Sequence, residues 1–481
     1  MTQPRNKPIC DCTASELATL LGEGALSAAE LAVECIGRID AVDQRVNAVV
    51  TRNPTALDEA RASDTRRRSG HTLGPLDGIP YIAKDNLETA NLRTTYGSQL
   101  MADHVPTEDA VSVERMRRAG AVLLGKGNTP EFAHDIRTDN LLFGPTRNPI
   151  DLARTAGGSS GGPAAAVAAG MVPVALGTDL GGSIRLPAAM CGILGHRPTP
   201  GRVPVYPTEF GWDLLVSHVH GPLTRSAGDL GLVLAALAGP DDRDPSSLPD
   251  AGIDYAAAAT ATRLDGRRIA YCADFDGLIP IEPEVASLCR AGVLAFESLG
   301  ARVEETCFDA SDLNGIAAGT RGFGMVGRYA HRLATGRDRM TAHLLGQVDD
   351  GLRLTVAQVT DAERLRTRYW HRVRAVLERY DYIVTPTIGA PAFPLEGPMP
   401  TEVAGKKVAR YYDVYRFTYA FSVVGLPVAA VPCGHTQAGL PVGLQIAARR
   451  TRDDQALQAA AAYTTAFPQH IVTPSRLAAL Q

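Results

Sequence analysis

The chain is short of lysine. Of its 48 cationic side chains, five are Lys (Lys7, Lys84, Lys126, Lys406 and Lys407) and the other 43 are Arg. Arg keeps its proton at any accessible pH, so Arg serves here wherever a fixed charge suffices. A Lys in an apolar setting is then a candidate for giving its proton up. Charge of one sign is not in surplus either: the net charge is −4, which excludes the basic surface of a general nucleic-acid binder. Long apolar runs are missing. The longest, 164–177, is too short to span a bilayer and contains Pro173. The opening MTQPRNKPICDCT lacks the apolar core of a secretory leader. The eight cysteines are scattered, with neither the pairing of a zinc site nor the density of a disulfide framework. A reduced, cytoplasmic protein is expected.

What is present suits one large α/β domain or two to three ordinary ones: 481 residues, 45% of them apolar. Residues 14–70 carry helical spacing. From about residue 78, short β-like runs (GIPYIA, AVLLGK, VPVALG) alternate with helical patterns, which implies βαβ units. Residues 239–252, dense in Pro and Asp, read as a domain-edge loop. A second α/β part follows over 253–481, with a helical region at about 315–380 and a hairpin made of LPVAAVPCG and LPVGLQIAA. Sheet-like segments flank the helical insert, so the expectation is one continuous sheet. It would comprise an N-terminal helical segment (1–70), a core (71–238), the loop (239–252) and the second part (253–481).

Lys84 stands in DGIPYIAKDNL, after a β-branched run that reads as a buried strand. The plainer alternative is an interior Lys paired with Asp85 or another acid. Four glycine patterns compete to supply the rest of a site. GAVLLGKG (120–127) nearly matches a phosphate-binding loop, but Gly127 replaces the hydroxyl residue that would hold Mg²⁺, so Lys126 reads as a strand-end charge. GFGMVG (322–327) has the letters of a dinucleotide fingerprint without a strand before it. GGSSGG (157–162) contains G-x-S-x-G, but the preceding PTRNPIDLARTA is loop-like and the later His371, His435 and His470 have no distinctive setting. GTDLGGSIRLPAA (177–189) begins where the apolar run VPVAL ends. Its glycines let backbone N–H groups converge on one concavity, as an oxyanion hole requires, with Ser183 at the end.

Taken together, GGSSGG, GTDLGGSIRLPAAMCGILGHRPTPGR and the upstream GIPYIAKDN resemble the amidase signature family. LLFGPTRNP, YDYIVTPT, GLPVAAVPCG and GLPVGLQIAAR extend the likeness over most of the chain. Arg197, where Lys is commoner, and Pro163, where a small or acidic residue is commoner, depart from the pattern. The resemblance implies an α/β fold: a single large domain whose central mixed, twisted sheet is covered by helices on both faces. It also implies a Ser–cis-Ser–Lys triad, with Ser183 as nucleophile, Ser159 as bridging serine after a cis bond from Gly158, and Lys84 as base. Lys can be that base only when neutral, and burial favours the neutral amine. The oxyanion would be held by the N–H groups of Leu180, Gly181, Gly182 and Ser183. Ser160 and Thr178 would support the triad, and Asp179 would pair with Arg185, unless Arg185 grips a substrate carboxylate. No metal or organic cofactor is implied.

The substrate is less legible. Tyr206, Phe210 and Trp212 follow the signature, and Phe132, Ala133 and His134 lie in GNTPEFAHD. As pocket walls they would suit neutral, hydrophobic or aryl amides, with carbamates and esters also open to the triad. The partner expected is that small molecule, with no nucleic acid and no membrane, and with a homodimer left open. Three alternatives stand beside this reading: the glutaminase subunit of a tRNA amidotransferase, an α/β-hydrolase-type esterase, and a non-catalytic binding protein of the same fold.

Overall fold

The computed structural model describes residues 7–208, 218–408, 413 and 415–480. Its backbone is an 11-stranded mixed sheet flanked by helices. The strands are β1 (Val49–Arg52), β2 (Pro80–Lys84), β3 (Val122–Gly127), β4 (Val174–Asp179), β5 (Leu194–Arg197), β6 (Val219–Thr224), β7 (Arg268–Tyr271), β8 (Arg302–Glu305) and β9 (Tyr382–Pro386). A two-stranded ribbon, β10 (Glu402–Val403) and β11 (Lys406–Lys407), stands apart, and β12 (Val428–His435) and β13 (Pro441–Ala448) complete the sheet. The order is β1-β3-β2-β4-β6-β5-β12-β13-β9-β7-β8. The N-terminal and C-terminal halves of the chain therefore share one sheet, joined where β5 pairs with β12.

The strands that position the site are β2, β3 and β4. They are parallel to one another and buried along their whole length, which is why they read as unbroken apolar runs rather than alternating ones. Parallel pairing brings the carboxyl ends of β2 and β4 to the same edge, so Lys84 and Thr178 arrive side by side although they are far apart in sequence. The hairpin of β12 and β13 is antiparallel. One strand breaks the helical reading of the first seventy residues: β1, from the β-branched NAVVTR, pairs antiparallel with β3. No described helix is long and apolar enough to cross a membrane.

Two expectations, on the cysteines and on Lys126, are corrected here, and the rejection of GFGMVG as a dinucleotide loop stands. Cys272 and Cys307 form a disulfide, a pairing hidden in the sequence because the residues are 35 positions apart with nothing motif-like around them. GFGMVG lies inside the helix Leu313–Tyr329 and forms no loop. Lys126, next to last in β3, is fully buried, with Nζ donating to Thr89 Oγ1 at 2.7 Å and to Leu87 O. Burial pushes its ammonium down to about 8. Gly127 is required by a close approach: a Cβ there would stand 2.8 Å from Pro163 Cδ. Pro163, in the first turn of the helix Gly161–Ala168, is thus packed directly on β3.

Candidate active site

Lys84, the last residue of β2, is fully buried. Its Nζ lies within hydrogen-bond distance of two hydroxyls, 2.7 Å from Ser159 Oγ and 2.9 Å from Thr178 Oγ1. Burial pushes the ammonium well below its ordinary range, and the pull of the Asp179 charge only partly opposes this. The alternative partner, Asp85, turns away. Its carboxylate accepts from the Thr95 N–H at 3.2 Å and from Thr95 Oγ1, and the cation that acts on it most strongly is Lys126. Burial pushes Asp85 up to about 6.

Ser159 follows a cis Gly158–Ser159 peptide bond. Next in the chain, Ser160 stitches three segments together. Its N–H donates to Ser183 O at 3.1 Å, its Oγ donates to Thr178 O at 3.2 Å, and that Oγ also accepts from the Thr178 N–H at 3.3 Å. The Ser159 turn, the end of β4 and Ser183 are thereby fixed relative to one another. Ser159 and Ser183 border one cavity of about 570 Å³, together with Asn86, Thr178 and Leu180.

The loop after β4 is organised by Asp179. Its carboxylate accepts from the N–H of Gly182 at 2.8 Å and of Ile184 at 3.2 Å, and from Arg185 at 3.0 and 3.1 Å. Gly182 holds φ 141°, and a Cβ there would lie 2.3 Å from Thr418 Oγ1, so no other residue fits. The Gly182 N–H is therefore committed to Asp179 and leaves the expected set of oxyanion donors. Among the described residues, the N–H groups of Gly181 and Ser183 meet no acceptor. Arg185 pairs with Asp179, as expected, and the alternative of a substrate grip falls. Fully buried, it donates to Asp179, to Thr418 O and Gln445 Oε1 at 2.8 Å each, and to Ser422 Oγ at 2.6 Å. Every N–H of its guanidinium is used, so none remains for a substrate carboxylate.

Phe132, Ala133 and Tyr206 line the same cavity; Phe210 and Trp212 lie outside the described residues. The Phe132 ring packs against Tyr329, with centroids 4.9 Å apart, and against Tyr96 at 5.8 Å. His371, His435 and His470 do not border the cavity. The lining histidines are the expected His134 and three that the sequence does not mark out, His104, His218 and His220. Burial pushes His134 and His218 well down and His220 down to about 4, so these three imidazoles are neutral near pH 7. His220 lies opposite Thr178 in the β4–β6 ladder, which puts both side chains on one face of the sheet. The alternation HVH just before GPLT was the available signal for this pair. Asn86, whose Nδ2 donates to Thr178 Oγ1 at 3.1 Å, was equally within reach, two places beyond Lys84. Tyr329 was not, because nothing local links it to Phe132.

Known proteins share both this sequence and this architecture. The Amidase family model matches residues 30–316 and 337–457. An acylamidase of Rhodococcus erythropolis is 37% identical over 463 residues, 95% of each chain. A glutamyl-tRNA(Gln) amidotransferase subunit of Moorella thermoacetica is 39% identical over 95% of this chain and 97% of its own. The crystal structure of a bacterial aryl acylamidase of the amidase signature family superposes with a TM-score of 0.91 at 29% identity, covering 98% of this chain and 99% of its own. A 6-aminohexanoate cyclic dimer hydrolase, solved with its substrate, gives 0.84 at 28% identity over 97% and 99%. A family match across the chain, near-complete coverage of its relatives and one shared fold lead to one conclusion: the chain belongs to the amidase signature family and is a hydrolase of carbon–nitrogen amide bonds.

Proposed function

We propose that the protein cleaves neutral, hydrophobic or aryl amides, and the related carbamates, through an acyl-enzyme on Ser183. Lys84 serves as base and Ser159 as relay. The observation that carries this reading is the Lys84 amine, buried, driven toward neutrality and 2.7 Å from Ser159 Oγ. A neutral amine offers a lone pair where Arg would offer none. In the forward step Ser183 Oγ attacks the carbonyl carbon, its proton passes to Ser159 Oγ, and the proton of Ser159 passes to Lys84 Nζ. The Gly181 and Ser183 N–H groups are the main-chain donors for the oxyanion. Collapse of the tetrahedral adduct breaks the C–N bond, and the proton returns through Ser159 to the departing nitrogen. Water then attacks the ester by the same relay and restores Ser183.

The aromatic row of Tyr96, Phe132 and Tyr329 supports an aryl or apolar substrate, as does likeness to proteins named acylamidase and aryl acylamidase. The glutaminase reading rests on the 39% identity to the Moorella protein. Glutamine has no ring to match this wall. A panel of acyl p-nitroanilides, aryl carbamates and glutamine, given to the isolated protein, separates the readings. Turnover of the aromatic compounds above glutamine supports this proposal, and ammonia release from glutamine alone overturns it.

A further inference from the structure

Tyr96 and Phe132 both hold left-handed backbone, with φ 54° and 47°, and Ala133 follows at 63°. For bulky side chains this conformation is costly and persists only where the surroundings enforce it. Here the Phe132 N–H donates to Tyr96 O at 2.7 Å, tying the two turns together and presenting both rings to the cavity. The row that continues to Tyr329 has a different polar group at each end. At the Tyr329 end, the phenol meets His134 Nε2 at 3.0 Å. At the Tyr96 end, the phenol O–H donates to Glu88 Oε1, and His104 Nε2 stands 3.1 and 3.0 Å from the two carboxylate oxygens.

Glu88 borders the same cavity as Ser159 and Ser183. Two neighbours do not exhaust a carboxylate, which offers about four acceptor positions. A ring carrying no donor, seated along Tyr96 and Phe132, would strip water from Glu88 and give nothing back, which is a penalty. A ring carrying an N–H or O–H at that end would replace the water.

We propose that Glu88 is a specificity residue that accepts a hydrogen bond from an amino or hydroxyl group on the aromatic ring of the substrate, remote from the scissile bond. Aryl amides and carbamates bearing a second such donor are then the preferred class. The inference rests on the aryl-substrate reading above. Tyr96 and His104 hold the carboxylate in place, and the strained turns hold Tyr96.

The test compares kcat/KM for para-aminoacetanilide and para-methoxyacetanilide, both electron-donating but only the first a donor of hydrogen bonds. The wild-type protein is expected to favour the amino compound by roughly tenfold, the worth of one hydrogen bond to a carboxylate. Glu88→Gln is expected to bring that ratio down several-fold. A wild-type ratio near one overturns the proposal without reference to any variant. So does a ratio that Glu88→Gln leaves unchanged, which would make Glu88 a fastener of the 88–104 loop. If neither anilide is turned over, the aryl-amide reading falls and this one with it; equal turnover of both overturns this one alone.

Discussion

Lys84 Nζ and Thr178 Oγ1 meet at 2.9 Å, joining the ends of two parallel strands, and the same oxygen accepts from Asn86 Nδ2 at 3.1 Å. A neutral amine has two N–H bonds and one lone pair. With one N–H pinned on Thr178, the lone pair can be held toward Ser159. Thr178 is thus a positioning residue in the proposed relay. Thr178→Val keeps the shape and removes the acceptor, and it should lower kcat by about tenfold with little change in KM. Thr178→Ser should restore most of the loss. A variant that changes KM alone would place Thr178 in substrate binding instead.

Groups that act as one relay fail together. Lys84→Ala and Ser183→Ala should each lower kcat by roughly a thousandfold or more, and the double variant should be no slower than the worse single one. His371→Ala, His435→Ala and His470→Ala should stay within about twofold of wild type, since none borders the cavity. Steady-state kinetics on one anilide decides both points. Additive losses would mean that Lys84 and Ser183 work independently.

Much of this site was legible because it is local in sequence or carried by a long motif. The scarcity of Lys marks out Lys84, the glycine pattern ends on Ser183, and the family resemblance singles out Ser159 and Asp179. Continuous apolar runs announced β2, β3 and β4. The remainder depends on contacts between distant segments. The Cys272–Cys307 bond, the burial of Lys126 against Thr89 and the meeting of Phe132 with Tyr329 leave no periodic or spacing signal. A glycine pattern shows that donors can converge, not which carboxylate reaches them first, so the bond from the Gly182 N–H to Asp179 is visible only in the fold.

The lowered Lys84 pKa has a sign in both rate and stability. In the proposed relay only the neutral amine can act as base, so kcat should rise with pH and reach its plateau well below the 10.5 of an ordinary Lys. A limb centred near the ordinary value would overturn the role of burial. In the unfolded chain the amine is protonated up to about pH 10.4. Between the folded and unfolded values the unfolded state therefore binds the extra proton, and the wild-type protein gains stability as pH rises through that window. Lys84→Met removes the titrating group. The inactive variant should melt higher than wild type at pH 7, and that advantage should shrink as pH approaches 10. Thermal unfolding of both proteins at several pH values measures the difference.

Arg185 offers the sharpest separation of a structural from a substrate-binding role. Its guanidinium holds Asp179 well down, to about 2, with Arg197 Nε a further 3.7 Å from the same carboxylate. Removing the partner of a buried charge costs about 3–5 kcal/mol, so Arg185→Met should lower the urea midpoint clearly. Exchanging both partners, as in Asp179→Leu with Arg185→Met, removes the stranded charge but also frees the Gly182 and Ile184 N–H groups that Asp179 accepts from. The double variant should recover only part of the loss. The pH dependence follows from the direction of the Asp179 shift. In the wild type its stabilisation is present above the unfolded value near pH 4 and is lost as pH falls toward about 2. In Arg185→Met the carboxyl keeps only Arg197 and the Gly182 and Ile184 N–H groups to hold it down, so its protonation, and the associated change in stability, should move to higher pH. Had Arg185 gripped substrate, the variant would keep its stability and lose affinity only for substrates carrying a carboxylate. Urea unfolding at pH 7 and at pH 4, set beside KM for one neutral and one carboxylate-bearing anilide, distinguishes the two outcomes.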